Sequence, residues 1–157
     1  MSDTFEIRPA VAADAESACA LVRASIIGLC KADHFNDALT LEGWLANKTP
    51  SNMAYWISTP GSNAFIAERD GVMVGVGAVR DDGEVTLNYV SPAARFQGVS
   101  KALLARMEAV AKEKLADRMS LTTTETARKF YLDHGYVAED EEGDLFSEEQ
   151  CGMIKEF

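Results

Sequence analysis

Hydrophobic and polar residues follow two different periods in the first sixty residues. They alternate over Thr4–Arg8, which predicts a short half-buried strand. Over Asp14–Leu29 the hydrophobic residues recur at helical spacing, and they do so again at about Leu39–Asn47. Ser51 is placed to be the N-cap of a short helix that follows. The pattern therefore predicts one strand and three helices in this part of the chain.

The centre of the chain has the pattern of an antiparallel meander. Three hydrophobic runs are separated by turns that contain Asp70-Gly71 and Asp82-Gly83, dipeptides that favour tight hairpins. Pro92 follows the third run and has no N–H to donate to a sheet, so it ends the meander. The predicted strands are Ala64–Glu68, Val72–Val79 and Glu84–Val90.

The last sixty residues contain the strongest helical pattern. Over Gln97–Leu115 the hydrophobic residues form a wide stripe, and we expect Glu108 and Lys112 to pair on the opposite, solvent-facing side. Gly135 fits the left-handed position that ends a second helix. The other predicted elements are a strand at Met119–Thr122, that second helix at about Glu125–His134, and strands at Tyr136–Glu139 and about Gln150–Phe157, joined by an acidic hairpin.

This order of elements predicts an α+β fold with three layers, in which a mostly antiparallel mixed sheet carries helices on both faces. Residues 1–157 are within the length of a single domain, and no change of composition marks a boundary. No hydrophobic run is long enough to span a bilayer, and the N-terminus lacks the features of a signal peptide. We therefore expect one cytoplasmic domain that does not bind membranes.

The charge and the cysteines exclude several classes of function. A net charge of −10 argues against nucleic-acid binding, which needs a basic surface, and is compatible with a cationic substrate such as an amine. Cys19, Cys30 and Cys151 are widely separated, which favours reduced thiols. His34 and His134 have no metal-ligand spacing to these cysteines, so we expect no metal site.

The segment between the meander and the long helix carries the most information about function. It leads from a strand through Pro92 to a helix start, where main-chain N–H groups have no intrahelical partners and the helix dipole is positive. Gly98 would let a phosphate approach the main chain closely, and Arg95 and Lys101 add local positive charge. These features favour the binding of a pyrophosphate.

Two separate motifs can be compared with a known family. The first, Val90-Ser91-Pro92 followed by Arg95-Phe96-Gln97-Gly98-Val99-Ser100, resembles V-x-P-x-x-[RQ]-x-x-G-x-[GA], the acetyl-CoA loop of the GNAT acetyltransferases. Ser100 departs from the last position, where Gly or Ala is usual. The second, from Thr124 to Tyr136, is similar to the family's N-x-x-A-x-x-F-Y-x-x-x-G-[FY], with Thr124 in place of Asn. The resemblance covers nearly the whole chain, in the right order.

The resemblance implies a GNAT-like fold and an N-acetyltransferase. Such an enzyme transfers the acetyl group of acetyl-CoA, its acyl-donor co-substrate, to an amine by direct attack in a ternary complex, without a metal. The expected acceptor is a small-molecule amine, with a peptide N-terminus or Lys as the variant. Homodimers are common in the family, although no feature of this sequence requires one. The residues implied in cofactor binding are Tyr89, Val90, Arg95, Gln97, Gly98, Val99, Ser100, Lys101, Thr124, Ala127 and Tyr131.

The resemblance also implies two catalytic roles. Tyr131 matches the family's Tyr, which donates a proton to the leaving thiolate. Glu84 is the candidate base that removes a proton from the amine, because it lies on the predicted third strand and shares a face with Asn88 by alternation. A bulge, which the family has in this strand, would disturb that alternation. Asp33 and His34 are the alternative bases.

The sequence also suggests where the acceptor binds and which other functions are to be considered. The segment Gly28–Thr59 would wall the acceptor site, where Trp44, Tyr55 and Trp56 are candidates for its lining or for ordinary core packing. The alternative function is a non-catalytic acyl-CoA-binding sensor or regulatory module. A dinucleotide-binding enzyme does not fit, because Gly75-Val76-Gly77 lies inside a predicted strand and lacks the third glycine.

Overall fold

The computed structural model describes residues 5–29, 37–138 and 150–157. Its helices are α1 (Ala15–Leu29), α2 (Ala38–Leu45), α3 (Pro50–Ser58), α4 (Val99–Glu113) and α5 (Glu125–Asp133). Its strands are β1 (Glu6–Pro9), β2 (Ser62–Arg69), β3 (Val72–Arg80), β4 (Val85–Val90), β5 (Arg118–Thr124), β6 (Val137–Ala138) and β7 (Gln150–Glu156). Within these three ranges, no helix combines the length and the hydrophobicity needed to cross a bilayer.

The strands form two antiparallel sheets. Four strands are ordered β1-β2-β3-β4, and three are ordered β5-β7-β6, with β7 inserted between β5 and β6. The β2–β3 hairpin turns at Asp70 and Gly71, which both have positive φ, as the Asp-Gly pair predicts. The predicted α+β fold with mostly antiparallel strands is confirmed.

Helices cover both faces of the four-stranded sheet because its inner strands are hydrophobic on both sides. In β2, Phe65 and Ala67 are buried in a core shared with α4, whereas Ala64 and Ile66 are buried in a second core shared with α1 and α3. The alternation along a single strand therefore supplies two hydrophobic layers. This arrangement confirms the predicted three-layer packing.

In the described part of the chain, the main chains of the two sheets are bridged where β4 and β5 begin. Glu84 forms a single parallel bridge with Ser120, whose main-chain N–H donates to the carbonyl of Gly83 at 2.9 Å. Beyond this junction, β4 and β5 belong to separate sheets in the described ranges. The separation of the strands leaves a cleft between the sheets.

Two predicted boundaries are wrong for local reasons. The N-cap of α3 is Thr49 rather than Ser51: the Thr49 hydroxyl accepts from the N–H of Asn52, and Pro50 takes the first helical position, where an N–H is not needed. Tyr136 precedes β6 instead of joining it, because its N–H donates to a carbonyl near the end of α5. The predicted acidic hairpin lies outside the described residues.

The helical spacing predicts an ion pair between Glu108 and Lys112, but Glu108 has other partners. Its carboxylate, only 16% exposed, accepts from the Tyr136 hydroxyl at 2.8 Å and from the Lys155 ammonium at 3.2 Å. Lys112 instead lies 5.1 Å from the ring centre of Phe157. Burial, together with the bond to Glu108, raises the pKa of Tyr136. Spacing along one helix cannot reveal partners that other segments supply.

Candidate active site

A cavity of about 490 Å³ occupies the cleft between the two sheets. Residues of β4 line it on one side and residues of β5 on the other. The N-terminal end of α4 and one face of α5 complete the wall, and the buried hydroxyl residue Ser25 of α1 also contributes. The cavity therefore brings together segments from across the chain at the place where the sheets part.

The N-terminal turn of α4 lines this cavity. Gly98 is the N-cap of α4 in the left-handed conformation, with φ of 84°, and as a glycine it has no side chain that could cap the helix. The first intrahelical bond runs from Ala102 N–H to the Gly98 carbonyl at 3.0 Å. The first-turn residues Val99, Ser100 and Lys101 line the cavity together with Gly98. This geometry is typical of a helix start that binds an anion.

Positive side chains line the cavity of an acidic protein. Arg95 and Lys101 are in its wall, and no Asp or Glu of the described residues is. The Arg95 guanidinium lies 4.5 Å from the ring centre of Phe96, which is 90% exposed and has a φ of 65°, a conformation that is rare for a bulky residue. Since the chain has a net charge of −10, this segregation of charge favours an anionic ligand here.

The structure brings most of the sequence-predicted cofactor residues to one cavity. Those that line it are Tyr89, Val90, Arg95, Gly98, Val99, Ser100, Lys101, Ala127 and Tyr131. Gln97 is not among them: its side chain accepts from Arg69 and donates to the Ala93 carbonyl at 3.4 Å, so it braces the loop. Thr124 ends β5, and its side chain lies outside the described part of the protein.

Tyr131 extends from α5 into the interior and is only 6% exposed. Its ring packs edge-on against Phe130 and Tyr136, with ring centres 5.1 and 5.4 Å away. The Asn88 side-chain amide of β4 donates to the Tyr131 hydroxyl at 3.2 Å. Burial raises the pKa of Tyr131 to about 12, which the hydrogen bond from Asn88 partly opposes. The phenol is therefore protonated at neutral pH and can donate.

The structure does not bring Glu84 to the cavity. Its side chain is 53% exposed and lies 3.6 Å from the Arg80 guanidinium. The cause is a bulge between β3 and β4, where Ala78 pairs with Leu87 but Val79 pairs with Val85. Val85 and Leu87 are two residues apart and yet are buried in opposite cores. The alternation that placed Glu84 on the same face as Asn88 is therefore inverted.

Two further lining residues were missed or given no side-chain role from the sequence. Asn88 was named only for its place on the strand, whereas its side chain reaches Tyr131. His134 lines the cavity, and its Nδ1 lies 2.6 Å from the Phe130 carbonyl, so in the neutral ring Nδ1 carries the proton and Nε2 is an acceptor. Its helical spacing from Ala127 and Tyr131 was the signal that could have found it.

The predicted acceptor residues lie apart from this cavity. Trp44 and Trp56 are partly buried against the second core, and Tyr55 is 69% exposed. None of the three lines the cavity. The alternative bases Asp33 and His34 lie outside the described residues. A role for these side chains in acceptor binding stays a prediction.

Comparison with known proteins identifies the family. Residues 32–148, more than half of the chain, match the model of the acetyltransferase (GNAT) domain. A GCN5-related N-acetyltransferase from Rhodopseudomonas palustris is 25% identical, with a TM-score of 0.85 over 100% of this chain and 98% of that one. A comparison with curated protein sequences found no significant match.

Two more distant structures share the fold. The PaiA N-acetyltransferase from Thermoplasma acidophilum, solved with coenzyme A, is 20% identical, with a TM-score of 0.82 over 98% of this chain and 99% of that one. A GNAT-family acetyltransferase from Streptococcus pneumoniae is 21% identical, with a TM-score of 0.70 over 98% of this chain and 100% of that one. With its family-model match and this shared architecture, the chain belongs to the GNAT family of acetyltransferases.

Proposed function

We propose that this acetyltransferase transfers the acetyl group of acetyl-CoA to the nitrogen of an amine, with a small molecule as the acceptor. The main observation in support of the proposal is that one cavity is lined by the N-terminal turn of α4, by two cationic side chains and by a buried phenol. The coenzyme A complex of the PaiA enzyme, which has the same fold, supports this choice of donor. The amine attacks the thioester carbonyl directly while both substrates are bound.

The α4 end of the cavity is suited to the diphosphate of the donor. Main-chain N–H groups of the first turn of α4 would donate to phosphate oxygens, and the helix dipole adds to their attraction. Arg95 and Lys101 supply two positive charges at the same place. The absence of a carboxylate from the described lining removes a source of repulsion. These residues would bind and orient the donor.

Tyr131 is the proposed proton donor. When the amine nitrogen forms its bond to the carbonyl carbon, the carbon–sulfur bond breaks and the electron pair stays on sulfur. The Tyr131 O–H bond then breaks, its proton passes to sulfur, and the phenolate later regains a proton from solvent. Because the pKa of Tyr131 is about 12, the phenol holds its proton throughout the neutral range and is ready to donate.

Solvent is the proposed acceptor of the amine proton. No carboxylate of the described residues lines the cavity, and Glu84 faces away from it beside Arg80. An alkyl amine is mostly protonated at neutral pH, so the fraction that can attack increases with pH. The rate at low acceptor concentration should therefore rise with pH towards the pKa of the amine.

Turnover with a panel of amines tests the proposed function. Purified protein, acetyl-CoA and each amine are incubated, and free coenzyme A is measured with a thiol reagent. We expect release that depends on at least one small amine and an acetylated product of the corresponding mass. Acetyl-CoA at 100 times its dissociation constant should stabilise the fold by about 2.7 kcal/mol in thermal unfolding. Stabilisation without turnover on small amines or peptides would favour the sensor function instead.

Gly98→Ala is expected to weaken acetyl-CoA binding about tenfold or more, measured by isothermal titration. Nothing lies within 4 Å of a Cβ added at Gly98, but the φ of 84° disfavours any side chain, so the first-turn amides would shift. Gly71→Ala is the matched control. Gly71 has a φ of 80° and likewise nothing within 4 Å of an added Cβ, but it lies in the β2–β3 turn and does not line the cavity. Equal affinities for the two variants would refute the role of the helix start.

A further inference from the structure

Asn88 and Tyr131 are 43 positions apart and meet at the cavity wall. The Asn88 Nδ2 donates to the Tyr131 hydroxyl oxygen at 3.2 Å. The Asn88 Oδ1 is buried and has no hydrogen-bond partner among the described residues. Within the described ranges, the side chain therefore makes one hydrogen bond, and the acceptor is the phenol oxygen.

The direction of this bond decides where the phenolic proton points. An oxygen that accepts from Asn88 cannot use the same contact to donate, so its own proton must point elsewhere. The opposite amide orientation would make Tyr131 the donor to Asn88 and would bury an NH₂ group with two unused donors. The observed orientation leaves Oδ1 and one Nδ2–H unpaired among the described residues, and an unpaired carbonyl oxygen is less costly than a second unpaired N–H. The observed orientation is therefore the favoured one.

We propose that Asn88 is a positioning residue for acetyl transfer, which turns the Tyr131 proton towards the leaving sulfur and stabilises the charge left on the phenol oxygen. This inference rests on the proposed function for its catalytic part. As the Tyr131 O–H bond breaks and an S–H bond forms, negative charge develops on the phenol oxygen. The Asn88 N–H already points at that oxygen and strengthens its bond as the charge grows.

The surroundings of Tyr131 otherwise disfavour loss of its proton. Burial disfavours the phenolate, and the neighbouring Tyr89 of β4 also raises the pKa of Tyr131.

Other titratable and charged groups lie around the cavity and the Tyr131 ring. From α5, His134 lines the same cavity. Behind the ring, Tyr136 is bonded to Glu108 of α4, which also holds Lys155 of β7. The cations of the described lining, Arg95 and Lys101, belong to the loop and first turn of α4. Of the influences that the described residues exert on the pKa of Tyr131, the hydrogen bond from Asn88 favours proton loss, whereas burial and Tyr89 oppose it.

A double-mutant cycle tests the catalytic part. Asn88→Leu should lower kcat about tenfold in the wild-type background, since one hydrogen bond to a developing charge is lost. In the Tyr131→Phe background the same substitution should change kcat by less than about twofold, because its target is gone. Equal losses in both backgrounds would overturn the proposal. Asn63→Leu is the control, since the Asn63 amide bonds to Val79 and Asp81 and does not line the cavity.

A titration of the phenol tests the hydrogen bond without any substrate. Fluorotyrosine is incorporated at the tyrosines, the resonance of residue 131 is assigned with Tyr131→Phe, and ¹⁹F NMR follows its pKa. We expect Asn88→Leu to raise that pKa by about one pH unit, because a donor to the phenolate is removed. Asn88→Asp, which keeps the size of the side chain, should raise it further, since a carboxylate holds the phenolic proton.

The sign of this change decides the result. A lower pKa in Asn88→Leu would show that Tyr131 donates to Asn88, and an unchanged pKa would show that the two do not interact; either outcome overturns the proposal. If the wild-type protein has no turnover, the proposed function fails. The titration then still decides whether Asn88 holds the phenol as described.

Discussion

Tyr131→Phe is expected to lower kcat by about 100-fold, with a dissociation constant for acetyl-CoA that changes by less than about threefold. The substitution keeps the buried ring between Phe130 and Tyr136 and removes only the hydroxyl. A positioned proton donor typically contributes 100-fold or more to a rate. Steady-state kinetics and isothermal titration measure the two quantities separately.

Tyr136→Phe is the matched control for this substitution. It also removes a buried phenolic hydroxyl, but one that bonds to Glu108 rather than facing the cavity. We expect a loss of stability of about 1–2 kcal/mol and a kcat within about threefold of the wild type. If the two variants lose activity equally, or if Tyr131→Phe keeps its kcat, Tyr131 is not the proton donor.

Gly83→Ala is expected to lower the free energy of unfolding by at least about 3 kcal/mol. Gly83 has a φ of 95°, and an added Cβ would lie 1.9 Å from the main-chain oxygen of Arg118. The clash is with backbone at the junction of the two sheets, where Ser120 donates to the Gly83 carbonyl. Relief would require β4 and β5 to separate further, which would also widen the cavity.

Urea denaturation measures this loss against Gly71→Ala. Gly71 has a comparable φ of 80° with nothing within 4 Å, so its substitution carries the conformational cost of about 1 kcal/mol without the clash. The difference between the two variants isolates the contact with Arg118. Equal losses would show that the junction tolerates a side chain and that the strands are not held as closely as described.

Much of the fold and of the donor-binding loop could be predicted because the signals are local. The Asp70-Gly71 turn, the hydrophobic stripe of α4 and the Gly135 stop of α5 each depend on residues within a few positions of one another. The same holds for the loop in which Arg95 and Gly98 precede a helix start. Motifs of this kind are readable because main-chain conformation is set by neighbouring residues.

The pairing of distant side chains could not be predicted. Glu84 and Asn88 have the spacing of residues on one strand face, yet one bulged residue in β4 places them on opposite sides. Glu108 and Lys112 have the spacing of a helical ion pair, yet Glu108 binds partners from beyond α5. In both cases, packing of other elements decided the outcome and overrode the local period.

Local sequence thus determines the order of elements and the chemistry of the loop before α4. Turns, caps and helix starts depend on residues that are close together in the chain. The cavity itself, the contact between Asn88 and Tyr131 and the exclusion of Glu84 exist only once β4, β5 and α5 have packed together. These features join residues many positions apart, and the distances between them depend on how the two sheets separate.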